Sequence, residues 1–329
     1  MIIFLLAPIA SCALQYSAHE ERGFIQWMRA NNRLYSGDEY FLRLGIYLTR
    51  MRRIQEFNKA QNSFKMSPNH LTCLTHAEYK SLLGAKIDTA GMVKNGENIH
   101  RNRPTLIGKN VEIPESVDWR EKGILNNVKD QGSCGSCWTF SAIMTMESVY
   151  ALKSGVLFNC SEQNLLECDP ASYGCEGGFP FRAVLYVMKT QNGMMALEED
   201  YPYTGIEGPC EFNSKRGVGK ITGYASVEVG DENDLKEKVA QYGPASVCID
   251  AEMDSFREYS SGIYIEVSCS TSFLDHAVGC VGYGAEDGTD YWIIRNSWGP
   301  SWGEKGYMRM IRNHSNMCGV ASQAIVALA

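Results

Sequence analysis

After its first thirteen residues the 329-residue chain has no apolar run that approaches the roughly 20 residues needed to cross a bilayer, so nothing later reads as a membrane span. It has no second CxxC and no closely spaced His/Cys group at zinc-finger spacing, which argues against a structural zinc domain. Lys and Arg are absent before Arg22. The opening IIFLLAPIA is therefore an apolar segment whose only positive charge is the α-amino group; it is too short to span and is followed by small residues, as in a signal peptide over residues 1–13. The string IASC, ending at Cys12, also has the form of a bacterial lipoprotein signal. With 44% hydrophobic and 21% charged residues the chain is neither disordered nor fibrous and can bury a core in more than one compact unit.

Acidic and basic residues are distributed unevenly. Residues 14–112 carry 15 Lys/Arg against 9 Asp/Glu, and residues 113–329 carry 16 against 29, within a total of −7. A basic leader on an acidic body reads as an internal partner held by opposite charge, not as a nucleic-acid module.

The most informative string is QGSCGSCW, Gln131 to Trp138, followed by TFSAIMTMESVYALK. A Gly/Ser-rich loop carries Cys137 into an apolar helix, placing its sulfur near unpaired N–H groups at the positive end of the helix dipole. An imidazolium partner would lower the thiol pKa further, favouring thiolate. Of six histidines only His276, in LDHAVGCVGYG, sits in an apolar strand-like run, and Asn296 follows in RNSWGPSWGEKGY. By itself the Cys134–Cys137 CxxC could be half a zinc site or a redox dithiol, though neither explains the glutamine or NSWG. From Cys137 to about Tyr203 the pattern is helical, with stops near Gly155 and an N-cap at Ser161. From about Ile221, runs such as ASVCID, YWIIRNSW and GYMRMI read as strands. Helices followed by strands make the fold α+β.

In the order Cys, His, Asn, with His276 139 residues beyond Cys137, these strings resemble a papain-type cysteine protease of the cathepsin L kind over nearly the whole chain. The resemblance implies a papain-like two-lobed fold: a helical lobe carries the cysteine, a β-barrel-like lobe carries the histidine, and a mainly helical prodomain precedes them. It implies Cys137 as nucleophile, His276 as its acid–base partner, Asn296 as the holder of the imidazole under Trp298, and Gln131 with the Cys137 N–H as oxyanion donors. By motif alignment Phe179, Pro180, Cys248, Leu274 and Ala277, with Gln323 at the floor, would line the pocket for the second residue before the cleaved bond. Gly177 and Gly178 would pair with substrate backbone. It also pairs Cys134 with Cys175, Cys168 with Cys210, and Cys269 with Cys318, leaving Cys160, Cys248 and Cys280 unassigned; Cys248 and Cys280 read as small buried hydrophobes.

In the leader, Glu39, Arg43, Ile54 and Asn58 fall at the spacing of the ERFNIN pattern of cathepsin L-like propeptides, with Tyr47 and Arg50 as departures. They lie on a helical stripe of Phe41, Leu44, Tyr47, Leu48, Met51, Ile54 and Phe57, with Asp38 as the expected N-cap. Where the family has GxNxFxD, this chain has SPNHLTC, retaining Asn69 but losing the acid at Cys73. The resemblance implies a prodomain with linker over 14–112, the linker from Ile87 to Glu112 running through the cleft, and a mature peptidase over 113–329. Body carboxylates facing the basic leader should have lowered pKa values while docked, so that acid releases it.

The implied activity is that of a secreted or lysosomal-type endopeptidase made as a zymogen, a monomer without metal or other cofactor. Its partners would be protein and peptide substrates, its own prodomain as intramolecular inhibitor, and cystatin-like inhibitors, with no nucleic acid or membrane. The sequons at Asn159 and Asn313 suit an exported protein. Two other classes are alternatives: a silent binding protein on this fold, which would lose the nucleophile or base, and an acyl transferase using the same Cys–His chemistry, which would need an amine site.

Overall fold

The computed structural model describes residues 15–60, 63–85, 87–88 and 112–329. The expected signal peptide and most of the linker lie outside these residues. The leader opens with α1 (Ala18–Ala30) and α2 (Gly37–Lys59), followed by β1 (Phe64–Met66), α3 (His76–Leu82) and β2 (Ile87–Asp88). Capping boxes start α1 at Ser17–Glu20 and α3 at Thr75–Glu78. For α2 the N-cap is Ser36, not Asp38, which stands inside the first turn, where its charge complements the dipole. Leu44, Tyr47 and Leu48 of α2 close on Phe24, Trp27 and Met28 of α1, forming a small separate core. Phe41 is 58% exposed, so the buried stripe begins one turn later than its periodicity suggests.

The acid missing from SPNHLTC is replaced from elsewhere in the leader. Arg43 grips both oxygens of Glu78, at 2.5 and 2.6 Å, and donates to the Cys73 carbonyl at 2.8 Å. That guanidinium draws the Glu78 carboxyl down to about 2. Arg50, where the pattern expects Asn, donates to the Leu71, Thr72 and Leu74 carbonyls and ties down the same turn. Asn58 brackets Met66 through both its N–H and its carbonyl.

The body comprises β3 (Val117–Asp118), α4 (Cys137–Ser154), α5 (Glu162–Cys168), α6 (Pro180–Lys189), β4 (Gly223–Ser226), α7 (Glu232–Tyr242), β5 (Ala245–Ile249), α8 (Asp254–Arg257), β6 (Tyr259–Tyr264), β7 (Phe273–Leu274), β8 (His276–Glu286), β9 (Thr289–Arg295), β10 (Tyr307–Ile311) and β11 (Ala324–Leu328). Almost all of α4 is buried, and it ends at Gly155, whose φ of 75° takes the left-handed conformation common at a helix C-terminus. Ser161 caps α5 through Asn164 N–H. The main sheet runs β1-β6-β10-β9-β8-β5-β11-β4, with β3 paired to β8; β2 and β7 form a second, two-stranded sheet. The leader thus supplies a strand to each sheet. Disulfides join Cys134–Cys175, Cys168–Cys210 and Cys269–Cys318, the three pairs named from the resemblance. Cys160, Cys248 and Cys280 are free and buried. No helix among the described residues is long and apolar enough to cross a membrane.

Candidate active site

Cys137 is the first residue of α4, delivered there by a loop whose Cys134 is tied to Cys175. With Cys134 in a disulfide, the CxxC is neither a free dithiol nor half a metal site. His276 opens β8 and Asn296 follows β9. These strands pair antiparallel with Gly279 opposite Arg295, which brings His276 and Asn296 to one end of the sheet. There His276 Nε2 meets Asn296 Oδ1 at 2.8 Å. The Trp298 ring stacks on the imidazole with centroids 4.7 Å apart and planes at 26°, screening that bond from water. The Ala277 N–H donates to Cys137 Sγ at 3.4 Å, so the helix head and the β8 strand meet at the sulfur.

A segment of the leader lies across this meeting point. Gln131 Nε2 donates to the Leu82 carbonyl at 2.8 Å as well as to that of Cys134, and Gly178 N–H donates to the Gly84 carbonyl at 2.8 Å. The Ala85 N–H donates to Asp275 O at 2.8 Å, and Ile87 pairs with Leu274 in the small sheet. The chain over the cleft therefore begins at the end of α3, upstream of the linker expected to fill it. Close approach requires glycine at two points: a Cβ on Gly84 would stand 1.7 Å from Gly135 O, and one on Gly177, whose φ is 121°, would stand 2.5 Å from Gly84 O.

The remaining pocket residues gather around the same place. Cys248 lies opposite Ala277 in the β5–β8 register, and its N–H donates to Gln323 O at 3.0 Å. Phe179 and Pro180 follow Gly178 at the head of α6, with the Arg182 guanidinium 4.2 Å over the Phe179 ring. Two participants were not singled out from the sequence. Ser297 donates from Oγ to Gln131 Oε1 at 2.7 Å, turning the Gln131 amide N–H toward Leu82, and Gly84 is the contact residue of the leader. Ser297 lies beside Asn296 in the NSWG string, but only the fold brings Gln131 to it.

In the covered form, burial acts on both members of the expected thiolate–imidazolium pair. Beneath the leader, burial pushes the Cys137 thiol up to about 12 despite the Ala277 and Gly84 N–H groups, and pulls His276 down to about 4 against the Asn296 bond. The docking carboxylates depart from expectation. Glu258 accepts from Thr72 Oγ1 at 2.8 Å and from Arg257, yet its burial outweighs these cations and donors and raises its pKa; burial lifts Asp275 to about 7. Other contacts between leader and body are Asn69 Nδ2 to Arg257 O, Tyr79 Oη to Ala251 O, Lys80 to Glu252, and Arg53 to Asp254.

The family profile described as papain family cysteine protease matches residues 113–328, the whole body. The chain belongs to the papain family of cysteine proteases. A second profile, the cathepsin propeptide inhibitor domain, matches residues 24–79 and marks the leader of this papain-family protein as its own intramolecular inhibitor, making it a zymogen. The chain is 40% identical over 306 residues to a cathepsin L-like proteinase of Fasciola hepatica, covering 91% of this chain and 90% of that protein. It is 36% identical over 332 residues to human cathepsin L2, covering 96% and 95% respectively. Among solved structures, digestive procathepsin L 3 of Tenebrio molitor larval midgut superposes with a TM-score of 0.84 at 33% identity, covering 95% of this chain and all of that one. The protein is a cathepsin L-like cysteine protease with a papain-like fold.

Proposed function

We propose that the protein is an endopeptidase in which Cys137, His276, Asn296 and Gln131 carry out the reaction. The observation that carries this reading is the hydrogen-bonded leader backbone laid over Cys137, with a peptide carbonyl on Gln131 Nε2 and another on Gly178 N–H. A site that holds a peptide backbone in this way is built for extended chains. Once the leader leaves, water and substrate reach the cleft, the proton of Cys137 passes to His276, and Asn296 Oδ1 supports the imidazolium. The thiolate adds to the scissile carbonyl, Gln131 Nε2 and the Cys137 N–H stabilise the oxyanion, and His276 gives its proton to the leaving amine. His276 then activates water to release the acyl group from sulfur.

The pocket formed by Phe179, Pro180, Cys248, Leu274, Ala277 and Gln323 is mostly apolar and takes aliphatic or aromatic side chains at the second position before the cleaved bond, with Gly177 and Gly178 aligning the backbone. A signal peptide over residues 1–13 directs export, maturation cuts before Ile113, and the mature 217 residues leave no room for a large insertion closing the cleft. The mature enzyme is a monomer, secreted or held in an acidic vesicle, and open to cystatin-like inhibitors. The test is to mature the purified zymogen and assay a fluorogenic peptide with an apolar second residue. Activity abolished by a thiol-directed epoxide and by Cys137→Ser is the expected result; activity surviving Cys137→Ser, or a preference for acidic second residues, overturns the corresponding part.

A further inference from the structure

Asn296 has two polar ends, and the catalytic bond occupies one. Oδ1 accepts from His276 Nε2 and from the Ser297 N–H, each at 2.8 Å, while Nδ2 is buried without a partner among the described residues. Asn296 also lines a cavity of about 20 Å³ below the catalytic pair, shared with Lys129, Met144, Glu147, Glu162 and Arg295. Asn296, Glu147, Glu162 and Arg295 are all more than nine-tenths buried. A buried amide donor left unpaired is costly, and a polar cavity of this size holds about one water.

The charged walls differ in what they can still accept. Both oxygens of Glu162 are taken by Lys129 Nζ, at 2.9 and 2.7 Å, and that ammonium also donates to Cys160 O. Arg295 spends its two terminal nitrogens on the Asn126 and Asn127 carbonyls. Glu147 Oε1 accepts from the Cys160 N–H at 2.6 Å and the group also accepts from the Asn126 side chain; burial raises its pKa while Lys129 opposes that, and its two oxygens have lone pairs for one donor more. Glu198 and the Cys160 thiol complete the titratable groups around this cluster.

We propose that one internal water accepts from Asn296 Nδ2 and donates to Glu147, making Glu147 a positioning residue for the His276–Asn296 pair. This rests on the roles given to that pair above. Rotated half a turn, the Asn296 amide would present its NH₂ to His276 Nε2, which could then no longer donate. A water whose hydrogen is held by a carboxylate keeps its lone pair on Nδ2, and so keeps Oδ1 on the ring. The carboxylate, one residue removed from the reaction, thereby helps His276 retain its proton.

The test uses the matured enzyme. In Glu147→Gln the water's acceptor is reduced from a carboxylate to a neutral amide oxygen, and in Gly279→Ala the added methyl, 2.6 Å from the Met144 terminal carbon, pushes on that side chain at the cavity wall without altering any charge. Both variants should lower kcat several-fold with KM within about twofold, and move the alkaline limb of the kcat/KM profile down by about half a pH unit, the scale of one neutral hydrogen bond. A limb that stays in place in both variants while only Tm falls overturns the proposal. Should either variant fail to fold, a high-resolution crystal structure of the matured wild type decides: density for a water bonded to Asn296 Nδ2 supports the proposal, and a dry cavity overturns it. That measurement needs no turnover, so it is independent of whether the protease reading itself stands.

Discussion

At the scale of single residues, each of the four side chains proposed to carry the reaction, Gln131, Cys137, His276 and Asn296, can be tested by removing one property. Gln131→Ala deletes the proposed oxyanion donor and should reduce kcat of the matured enzyme by about 10²- to 10³-fold with little change in KM; steady-state kinetics on a fluorogenic peptide measure it. That Cys137 heads a helix and that His276 and Asn296 belong together was legible in the sequence because residue type and local string carry it. Their protonation was not. It depends on burial in the folded protein, which no local string records. Ser297 was missed for a related reason: its hydroxyl acts on Gln131, 166 residues away.

Among the elements, the leader depends on a glycine and an ion pair. Gly84→Ala would force a methyl into the Gly135 carbonyl, and overpacking of this kind costs about 1–3 kcal/mol, or about 5- to 140-fold in docking. Unprocessed zymogen carrying it should therefore leak activity by such a factor, read with a small fluorogenic substrate. Glu78→Gln leaves Arg43 with weaker partners and should lower the thermal stability of the zymogen. Because Arg43 holds the Glu78 carboxyl at about 2, this stabilisation is full above the unfolded value near 4.5 and is lost as pH falls toward 2. Wild type and variant should thus differ in Tm at pH 6 and converge near pH 2, followed by circular dichroism. The helix over residues 37–59 was legible from its apolar period, and β5, β8, β9 and β10 from their alternating runs. The start of α2 and the exposure of Phe41 were not, since local pattern cannot tell a flank facing α1 from one facing solvent. The substitute acid at Glu78 escaped notice because it lies five residues past the position the motif reserves for it.

For the whole molecule, the acid response runs through different groups from those its charge distribution suggests. Glu258 accepts from Thr72 of the leader and its burial raises its pKa, so its protonation favours the closed form and it resists opening as pH falls. One group that favours opening is a histidine. His70 of the leader sits by Ser301, with Asp130 and Arg33 near it, and burial lowers its pKa. Docking therefore holds the ring neutral and weakens as pH drops below the free value of about 6.5. Maturation should accelerate through this range, and His70→Gln should flatten that part of the rate–pH profile; a profile unchanged by the substitution would assign the trigger elsewhere. Removing the leader also strips β1 from β6, where Phe64 had faced Gly262. The ripened protease is thus born with a raw border of open amide and carbonyl groups, a natural landing strip for any stretched polypeptide that can lie down beside it.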